Sequence, residues 1–490
     1  MGVRISSWSM ARVVSHLGGL GTVSGTALDL VYSRQLQQGD PGGHIRRAFA
    51  ALGQRFPALA GQVGKLLSRY FVDGGIAPGR QFIPAPSGEL RRATKRLSPD
   101  VSLWEPGPEF QVLNIAANFS EVWLAKEGHC GAVGINYLRK IERPLPYALL
   151  GAMLAEVDFV SVGAGSPAAI PDLIASLSRA ECCQFGLKVA DADGQAFALR
   201  LDPAALIGTG RAPLKSPKLL AIVSSYALAR ELASTQRQRP YGFVLENSSA
   251  GGHNAPPNLK TFDANREETV VYTDKDSIDV RAISALGLPF WLAGGCSTAG
   301  DLRRALDHGA KGIQFGTTAA LCLESGLAPR LRREAVSLLK AGKLKVSTEA
   351  RVSPSGFPFK VAQIPQTLSD KNVFQNRVRR CDIGYLQSAY LAKDGRVAFR
   401  CPAENAAEYI RKGGKARHTE GRVCLCNGLL SAAGFPSSWP DGYVEPPIVT
   451  LGEQLDAAAD LLKNLPAKED SYHIGKVVHG MLSALRNMRA

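Results

Sequence analysis

Short apolar runs alternate with amphipathic segments along most of this chain. The runs have the length of buried strands, and each stops at Gly, Asn, Ser or Glu. The segments between them repeat apolar residues every three or four positions, as helices with one buried face do. The predicted strands are 131–136, 159–163, 219–223, 242–245, 288–293 and 310–315, and the predicted helices are 145–156, 167–178, 226–232 and 298–308. Alternating strands and helices predict a parallel sheet covered by helices.

The first third of the chain is less regular. A break rich in Gly divides its helical residues, and a connection rich in Pro and Gly extends to about residue 107. The predictions here are a helix from Ser6 or Ser7 to 17, a strand at 20–24, helical residues from 28 to about 73 with a break at 39–43, a strand at 113–119, and a helix at 120–128 capped by Ser120. Farther on, residues 183–214 are predicted to form a hairpin-like excursion.

The segment 241–257 (Y-G-F-V-L-E-N-S-S-A-G-G-H-N-A-P-P) contains the first candidate for chemistry. A buried strand runs into a loop that carries Gly251 and Gly252 directly before His253. Glycine lets the backbone approach a flat ligand, and histidine titrates near neutral pH. The active sites of (β/α) barrels are built from such loops. Taken alone, the G-G-H segment is more typical of a glycine-rich turn followed by a surface histidine.

Two consecutive strand–glycine–helix units follow this loop. The strand at 288–293 ends in G-G-C, and the helix after it has Thr298 as N-cap with Asp301 three residues later, which is the spacing of a capping box. The strand at 310–315 ends in G-T-T before another helix. Such units aim backbone N–H groups and helix N-termini at one place, which indicates a phosphate site after strands seven and eight of a barrel. Each unit alone is also compatible with an ordinary turn.

Composition and charge limit the class of protein. The 490 residues, of which 45% are hydrophobic, suffice for one large barrel with an appendage or for two or three smaller domains. The sequence contains neither an apolar run of membrane-spanning length nor a secretory signal, so we expect a cytoplasmic protein that does not bind membranes. The net charge is +15, but the basic residues are scattered in short clusters, which argues against nucleic acid and suits anionic ligands.

The motifs in combination resemble the nitronate monooxygenase family, formerly called 2-nitropropane dioxygenases. The resemblance rests on A-G-G-H at 250–253, L-A-G-G-C at 292–296 and I-Q-F-G-T at 313–317, and it covers about residues 1–330. It implies an FMN-dependent (β/α)8 TIM barrel with His253 as catalytic base. By the same resemblance, the flavin-binding positions are Asn136, Glu246, Gly251, Gly252, Gly294, Gly295, Gln314, Phe315, Gly316 and Thr317. We therefore predict an α/β barrel at 1–330 with a helical insertion at about 28–110, and a C-terminal extension at 331–490 packed on the barrel.

Two features depart from the family pattern. The family usually has glutamine where this chain has Glu246, and a carboxylate near the pyrimidine ring of the flavin would alter hydrogen bonding and redox potential. The family's first strand ends in a P-M-G-like sequence, which Met1-Gly2-Val3 resembles. We expect either a truncated first strand or a native start upstream of Met1.

The resemblance implies oxidation of nitronates or nitroalkanes with O2. A neutral nitroalkane has an acidic Cα–H that a histidine can remove before FMN accepts electrons. One alternative is an FMN-dependent enoyl reductase that uses NAD(P)H and acyl substrates on an acidic carrier protein, which the positive charge would suit. Another is a non-catalytic flavin- or metal-binding scaffold. The sequence does not identify the physiological substrate. It also leaves the oligomeric state open, and a homo-oligomer is one of the alternatives.

Nine cysteines without a signal peptide indicate reduced thiols or a metal site rather than disulfides. The candidate ligands for zinc or an iron–sulfur cluster are Cys381, Cys401, Cys424 and Cys426. Buried packing is the alternative, because no C-x-x-C pair is present and free cysteines behave as small hydrophobes. In the same region we predict an extended segment at 349–370 lying on the barrel, and amphipathic helices at 455–462 and 474–488 that cover the barrel or a partner subunit.

Overall fold

A computed structural model of the chain describes residues 2–77, 79–93, 100–210, 212–235, 239–259, 261–262, 268–463, 465 and 469–487. Met1, part of the predicted truncated strand, and Met488, the predicted end of the last helix, lie outside these residues. Within the described ranges, no helix combines the length and the apolar character needed to cross a membrane.

Eighteen α-helices lie in the described parts of the chain. They are α1 (Trp8–His16), α2 (Leu28–Gln37), α3 (His44–Arg55), α4 (Pro57–Tyr70), α5 (Pro108–Ala125), α6 (Leu145–Leu154), α7 (Ile170–Ser178), α8 (Pro203–Ile207), α9 (Tyr226–Ser234), α10 (Val280–Ser284), α11 (Ala299–Asp307), α12 (Thr317–Ala320), α13 (Pro329–Lys340), α14 (Lys371–Gln375), α15 (Ala406–Arg411), α16 (Leu425–Ala432), α17 (Asp456–Lys463) and α18 (Ile474–Asn487). Short 3₁₀ turns lie at Asp274–Asp276 and Ala416–Thr419.

The strands belong to one large sheet and several small ones. They are β1 (Gly21–Ser24), β2 (Leu90–Arg92), β3 (Val101–Pro106), β4 (Val133–Leu138), β5 (Phe159–Gly163), β6 (Cys183–Leu187), β7 (Val189–Ala190), β8 (Ala196–Leu201), β9 (Lys218–Val223), β10 (Gly242–Glu246), β11 (Thr261–Phe262), β12 (Glu268–Thr269), β13 (Phe290–Ala293), β14 (Gly312–Gln314), β15 (Val346–Glu349), β16 (Phe359–Ala362), β17 (Ser388–Leu391) and β18 (Val397–Arg400).

The large sheet is parallel and has the order β1, β4, β5, β9, β10, β13, β14. Each strand lies beside the one that precedes it in this series, so the chain winds in one direction, as in a (β/α) barrel. The strand side chains are buried on both faces, for example Val160, Val162, Phe243 and Val244. Strands covered on both faces are nearly continuous apolar runs, which is why the sequence predicted them. The barrel-like α/β fold is confirmed.

The number of strands differs from the prediction of eight. Within the described residues the sheet has seven strands, and its edge strands β1 and β14 do not pair with each other. A cavity of about 510 Å³, here called the edge cavity, lies between them and is lined by Thr22 of β1 and Gly312 of β14. Helices α1 and α18 contact each other and contribute Met10, Val478 and Met481 to its wall. Helix α18 thus covers the open edge of the sheet.

The predicted strand at 113–119 is wrong, because these residues belong to α5. The predicted helix at 120–128 coincides with the last residues of α5, which ends at Ala125, but its predicted start at Ser120 is wrong. Helix α5 starts at Pro108, whose fixed φ suits a first helical turn. It is buried around nearly its whole circumference and contacts α1, α2, α3 and α6. Its apolar residues therefore lack one-sided spacing, and a short apolar run of this kind cannot be distinguished from a buried strand by periodicity. Ser120 lies in the helix interior and caps nothing.

The excursion predicted at 183–214 contains the antiparallel pair β6–β8, which joins β3 and β2 in a four-stranded sheet. The capping box of α11 forms between Thr298 and Asp301 as predicted. The predicted C-terminal helices correspond to α17 and α18.

The C-terminal residues share an apolar core with the N-terminal ones. Phe435 packs in one cluster with Val23 of β1, and Tyr472 packs in another with Met10 of α1. The predicted extended segment at 349–370 begins at the last residue of β15 and contains β16, which pairs with the loop after β10 through the bridge between Phe359 and His253. The division of the chain at residue 330 stays a prediction.

Candidate active site

Asn247 fixes the start of the loop after β10. Its Oδ1 accepts hydrogen bonds from Ser249 N (2.9 Å) and Ser249 Oγ (2.6 Å), and its Nδ2 donates to Gly294 O (3.0 Å). Because the carboxyl ends of β10 and β13 lie at the same edge of the sheet, one amide side chain joins the two loops that the motifs singled out.

The two glycines of this loop lie against a segment of the C-terminal extension. A Cβ on Gly251 would be 2.8 Å from the carbonyl carbon of Leu451, so a side chain does not fit there. Gly252 has φ +87°, a conformation that favours glycine, and its N–H donates to Thr450 Oγ1 over 2.8 Å. The glycines therefore let the extension approach the barrel loop closely.

His253 is held from the side of the extension. Its Nε2 is 2.6 Å from Ser353 Oγ, and its ring meets Phe359 edge-on with 4.8 Å between the ring centroids. Within the described residues, Nδ1 has no hydrogen-bond partner. Burial and the nearby cation of Lys140 hold the pKa of His253 well below its ordinary value. The imidazole is therefore neutral at physiological pH, and one of its two ring nitrogens can accept a proton.

All of the predicted barrel-site residues line one of two adjoining cavities. The first, called the histidine chamber, has a volume of about 270 Å³ and contains Asn136 and His253 in its wall. The second is the edge cavity. Its wall contains Gly294, Gly295, Phe315, Gly316 and Thr317. The residues common to both walls include Glu246, Gly251, Gly252 and Gln314. Their roles stay predictions, but the fold does bring them together.

The glycines after β13 and β14 form the end of the edge cavity that fits an anionic group. Gly294 (φ +87°) and Gly295 (φ +68°) turn the chain toward the N-terminus of α11, where a helix dipole favours negative charge. Gly316 has open space where a Cβ would point. Helix α12, predicted as a second such N-terminus, has only four residues. An anionic group at this end of the cavity would meet the open space beside Gly316 and the N-terminus of α11.

Residues of the extension complete this end of the cavity, and the sequence analysis did not predict them. Gly452 N donates to Thr317 Oγ1 over 2.8 Å, so the Thr317 hydroxyl already has a protein partner. The side chain of Gln454 lies so close to Gly295 that an added Cβ would be 2.2 Å from its Oε1. The sequence signal for these residues was a short, mainly apolar run at 448–451 that ends at Gly452.

Glu246 ends β10 and faces both cavities. Burial raises its pKa to about 6. A carboxyl group with this pKa is mainly ionised at neutral pH but takes up a proton in mild acid. Glu246 therefore places a titrating group on the wall shared by the two cavities.

The far side of the histidine chamber is apolar. Its lining includes Leu138, Ile141, Phe357, Leu386, Leu425 and Leu429. Helix α16, which follows Cys424, supplies two of these side chains. The chamber therefore suits an apolar group of a ligand.

The four C-terminal cysteines come together but do not form the predicted metal site. Cys401 and Cys424 are buried, and the thiols contact in series from Cys426 to Cys424, Cys381 and Cys401. Within the described residues, no group of three or more His, Cys, Asp or Glu side chains is placed to hold a metal ion. A hydrogen bond with Cys401 raises the pKa of Cys381, and one with Cys381 raises the pKa of Cys424. The four thiols pack together and are linked by these hydrogen bonds.

Comparison of the sequence with family models and with curated proteins gave no match. Among solved structures, FabK from Thermotoga maritima is 13% identical, with a TM-score of 0.46 over 99% of this chain and 90% of its own. A nitroalkane oxidase from Streptomyces ansochromogenes is 14% identical, with a TM-score of 0.42 over 100% of this chain and 94% of its own. The enoyl reductase domain of MlnA from Bacillus amyloliquefaciens is 12% identical, with a TM-score of 0.41 over 76% and 87%. Similarity at this level does not by itself assign a family or an activity to the chain.

Proposed function

We propose that this chain is an FMN-dependent oxidoreductase of the nitronate monooxygenase type, with His253 as general base. The proposal is supported mainly by one observation: His253 lies in the wall of a chamber that shares Gly251 and Gly252 with a cavity of about 510 Å³, whose wall contains Gly294, Gly295 and Gly316. Burial also lowers the pKa of His253, which keeps the imidazole neutral. A neutral imidazole is the form that removes a proton from carbon.

The residues that would hold FMN come from three strands, β4, β13 and β14, and the loops after them. Gly294, Gly295 and Gly316 would surround the phosphate, and Asn136 of β4 and Gln314 of β14 would contact the ring. Bound FMN would supply an electron acceptor that O2 reoxidises.

The proton chemistry follows from the two ring nitrogens of His253. Nε2 is engaged with Ser353 Oγ, so the Cα proton of a neutral nitroalkane passes to Nδ1. General-base assistance of this kind is typically worth 10²–10⁴-fold. The lowered pKa weakens the base but keeps it unprotonated at neutral pH. A substrate that is already a nitronate has lost this proton and needs the base less.

The apolar wall of the histidine chamber also supports a second candidate. A chamber lined by leucine and phenylalanine side chains suits an acyl chain, and the net charge of +15 suits an acidic carrier protein. An enoyl reductase of this kind would draw electrons from NAD(P)H. The neutral base favours the first candidate, because removing a Cα proton requires a group that accepts one.

A flavin-reduction experiment separates the candidates. We expect the purified protein to release FMN and not FAD, since no adenine-binding fingerprint accompanies the phosphate site. Under anaerobic conditions, an alkyl nitronate should bleach the flavin, and NAD(P)H should not. Bleaching by NAD(P)H and not by nitronate would favour the enoyl reductase. A colourless protein that cannot be reconstituted with FMN would contradict both.

A further inference from the structure

A continuous line of polar groups leads from His253 to Lys140. His253 Nε2 is 2.6 Å from Ser353 Oγ, which is 2.8 Å from Ser355 Oγ. Lys140 Nζ donates to Ser355 Oγ over 3.1 Å. Each contact has hydrogen-bond length, so the two hydroxyls connect the imidazole to the amine without a gap.

The line is fixed by its surroundings. Ser353 is fully buried, and its Oγ also accepts a hydrogen bond from Ser355 N over 3.2 Å. Arg422 Nη1 donates to Ser353 O (2.6 Å) and to Arg351 O (2.8 Å), which holds the backbone of this turn. The Lys140 amine lies 5.0 Å from the centre of the Phe357 ring, a wall residue of the chamber.

We propose that Ser353, Ser355 and Lys140 form a proton relay for His253. The inference rests on the proposed function, because it assigns the path of the proton that His253 removes. When Nδ1 takes the substrate proton, Nε2 gives its proton to Ser353 Oγ, Ser353 gives its own to Ser355 Oγ, and Ser355 gives its own to the neutral amine of Lys140. The imidazole stays uncharged, and Lys140 becomes the ammonium ion. The cycle resets when this proton returns through the serines and Nδ1 releases its proton to water.

The lowered pKa of Lys140 suits a proton acceptor at the end of this relay. Burial lowers the pKa of Lys140 to about 7, so a substantial fraction of the amine is neutral at physiological pH. Within the described residues Lys140 forms no ion pair. The charged groups nearby are Arg422 on the facing turn and the Arg139–Glu142 pair beside Lys140 in the chain, whose closest atoms are 2.9 Å apart.

An NMR titration of the histidine side chains tests the connection without flavin or turnover. The His253 signal is identified by its loss in His253→Ala. In Lys140→Met we expect the pKa of His253 to rise, because a neighbouring cation is removed, and in Ser353→Ala we expect the Nε2 resonance to shift. Lys218→Met is the matched control, since Lys218 also lies over an aromatic ring, that of Tyr241, but at the opposite end of the barrel strands. A His253 titration that is the same in Lys140→Met as in the wild type would overturn the relay.

Turnover provides the second test. With a neutral nitroalkane, Ser355→Ala should lower kcat about tenfold or more, as the loss of part of a base system worth 10²–10⁴-fold predicts. Ser355→Thr, which keeps the hydroxyl, should restore most of the rate, and a pre-formed nitronate should be oxidised at nearly the wild-type rate by all variants. In Lys140→Met the limb of the pH–rate profile near pH 7 should disappear.

Equal losses on both substrates, or no loss on either, would contradict the relay. A wild-type protein that oxidises neither substrate would refute the proposed function, while the NMR titration would still decide on the relay.

Discussion

The backbone N–H of Gly452 donates to the hydroxyl of Thr317 over 2.8 Å. This bond joins the C-terminal extension to the loop after β14, at the end of the edge cavity that fits a phosphate. Thr450, two residues earlier, accepts from Gly252 N over 2.8 Å. The extension is therefore part of the wall of the proposed flavin site.

Gly452→Ala should weaken FMN binding. An added Cβ would be 2.8 Å from Ser249 O and 2.9 Å from Thr317 Oγ1, so both loops must shift away from the cavity. We expect at least a tenfold increase in the Kd for FMN, about 1.4 kcal/mol, measured by fluorescence titration of the apoprotein. Gly64→Ala, in helix α4 where nothing lies within 4 Å of the new methyl group, is the control and should bind FMN normally. Unchanged affinity in Gly452→Ala would show that this contact does not shape the site.

Glu246→Gln should change how stability depends on pH. Burial raises the pKa of Glu246 from 4.5 to about 6, so the folded state binds the proton more tightly than the unfolded state does. This group therefore lowers the stability of the wild type as pH rises from about 4.5 to 6, and the full cost is present above that range. Glutamine does not ionise, so the variant should gain on the order of 1 kcal/mol relative to wild type at pH 8 and less at pH 4.5.

Urea unfolding of the FMN-free protein at several pH values measures this difference. Glu334→Gln, at an exposed position of helix α13, controls for the loss of one negative charge. A difference between Glu246→Gln and wild type that is constant from pH 4.5 to 8 would show that Glu246 does not titrate in this range.

The cysteine cluster should contain no stoichiometric metal. Because the thiols contact in series and no metal-holding group is formed within the described residues, elemental analysis should give zinc and iron well below one atom per chain. A chelator should leave the unfolding temperature unchanged. Cys424→Ser should lower stability by about 1 kcal/mol through poorer packing of a buried position. One zinc or one iron–sulfur cluster per chain would overturn this view and restore the prediction made from the sequence.

The sequence predicts those strands and helix caps that depend on local residue patterns. The strands β5, β9 and β10 are apolar runs closed by turn residues, and the capping box at Thr298 is a four-residue signal, so both were predictable. Helix α5 was not, because it is buried on nearly all sides and its apolar residues carry no helical spacing.

The missed parts of the site depend on contacts between distant residues. Lys140 and Ser355 are 215 positions apart, and Gly452 and Thr317 are 135 apart. In neither pair does the sequence around one residue indicate the other residue. A serine in a turn carries no signal of a functional role. The motif glycines could be found because their spacing is local, whereas the side chains that complete the site become visible only when the extension is seen on the barrel.

The most direct test of the proposed function compares wild type and His253→Ala on two forms of one substrate. With a neutral nitroalkane, the FMN-loaded variant should lose 10²–10⁴-fold in kcat, because the base that removes the Cα proton is gone. With the pre-formed nitronate, kcat should fall by less than about tenfold. Equal losses on both forms, or full activity on the neutral form, would contradict the role of His253 as general base.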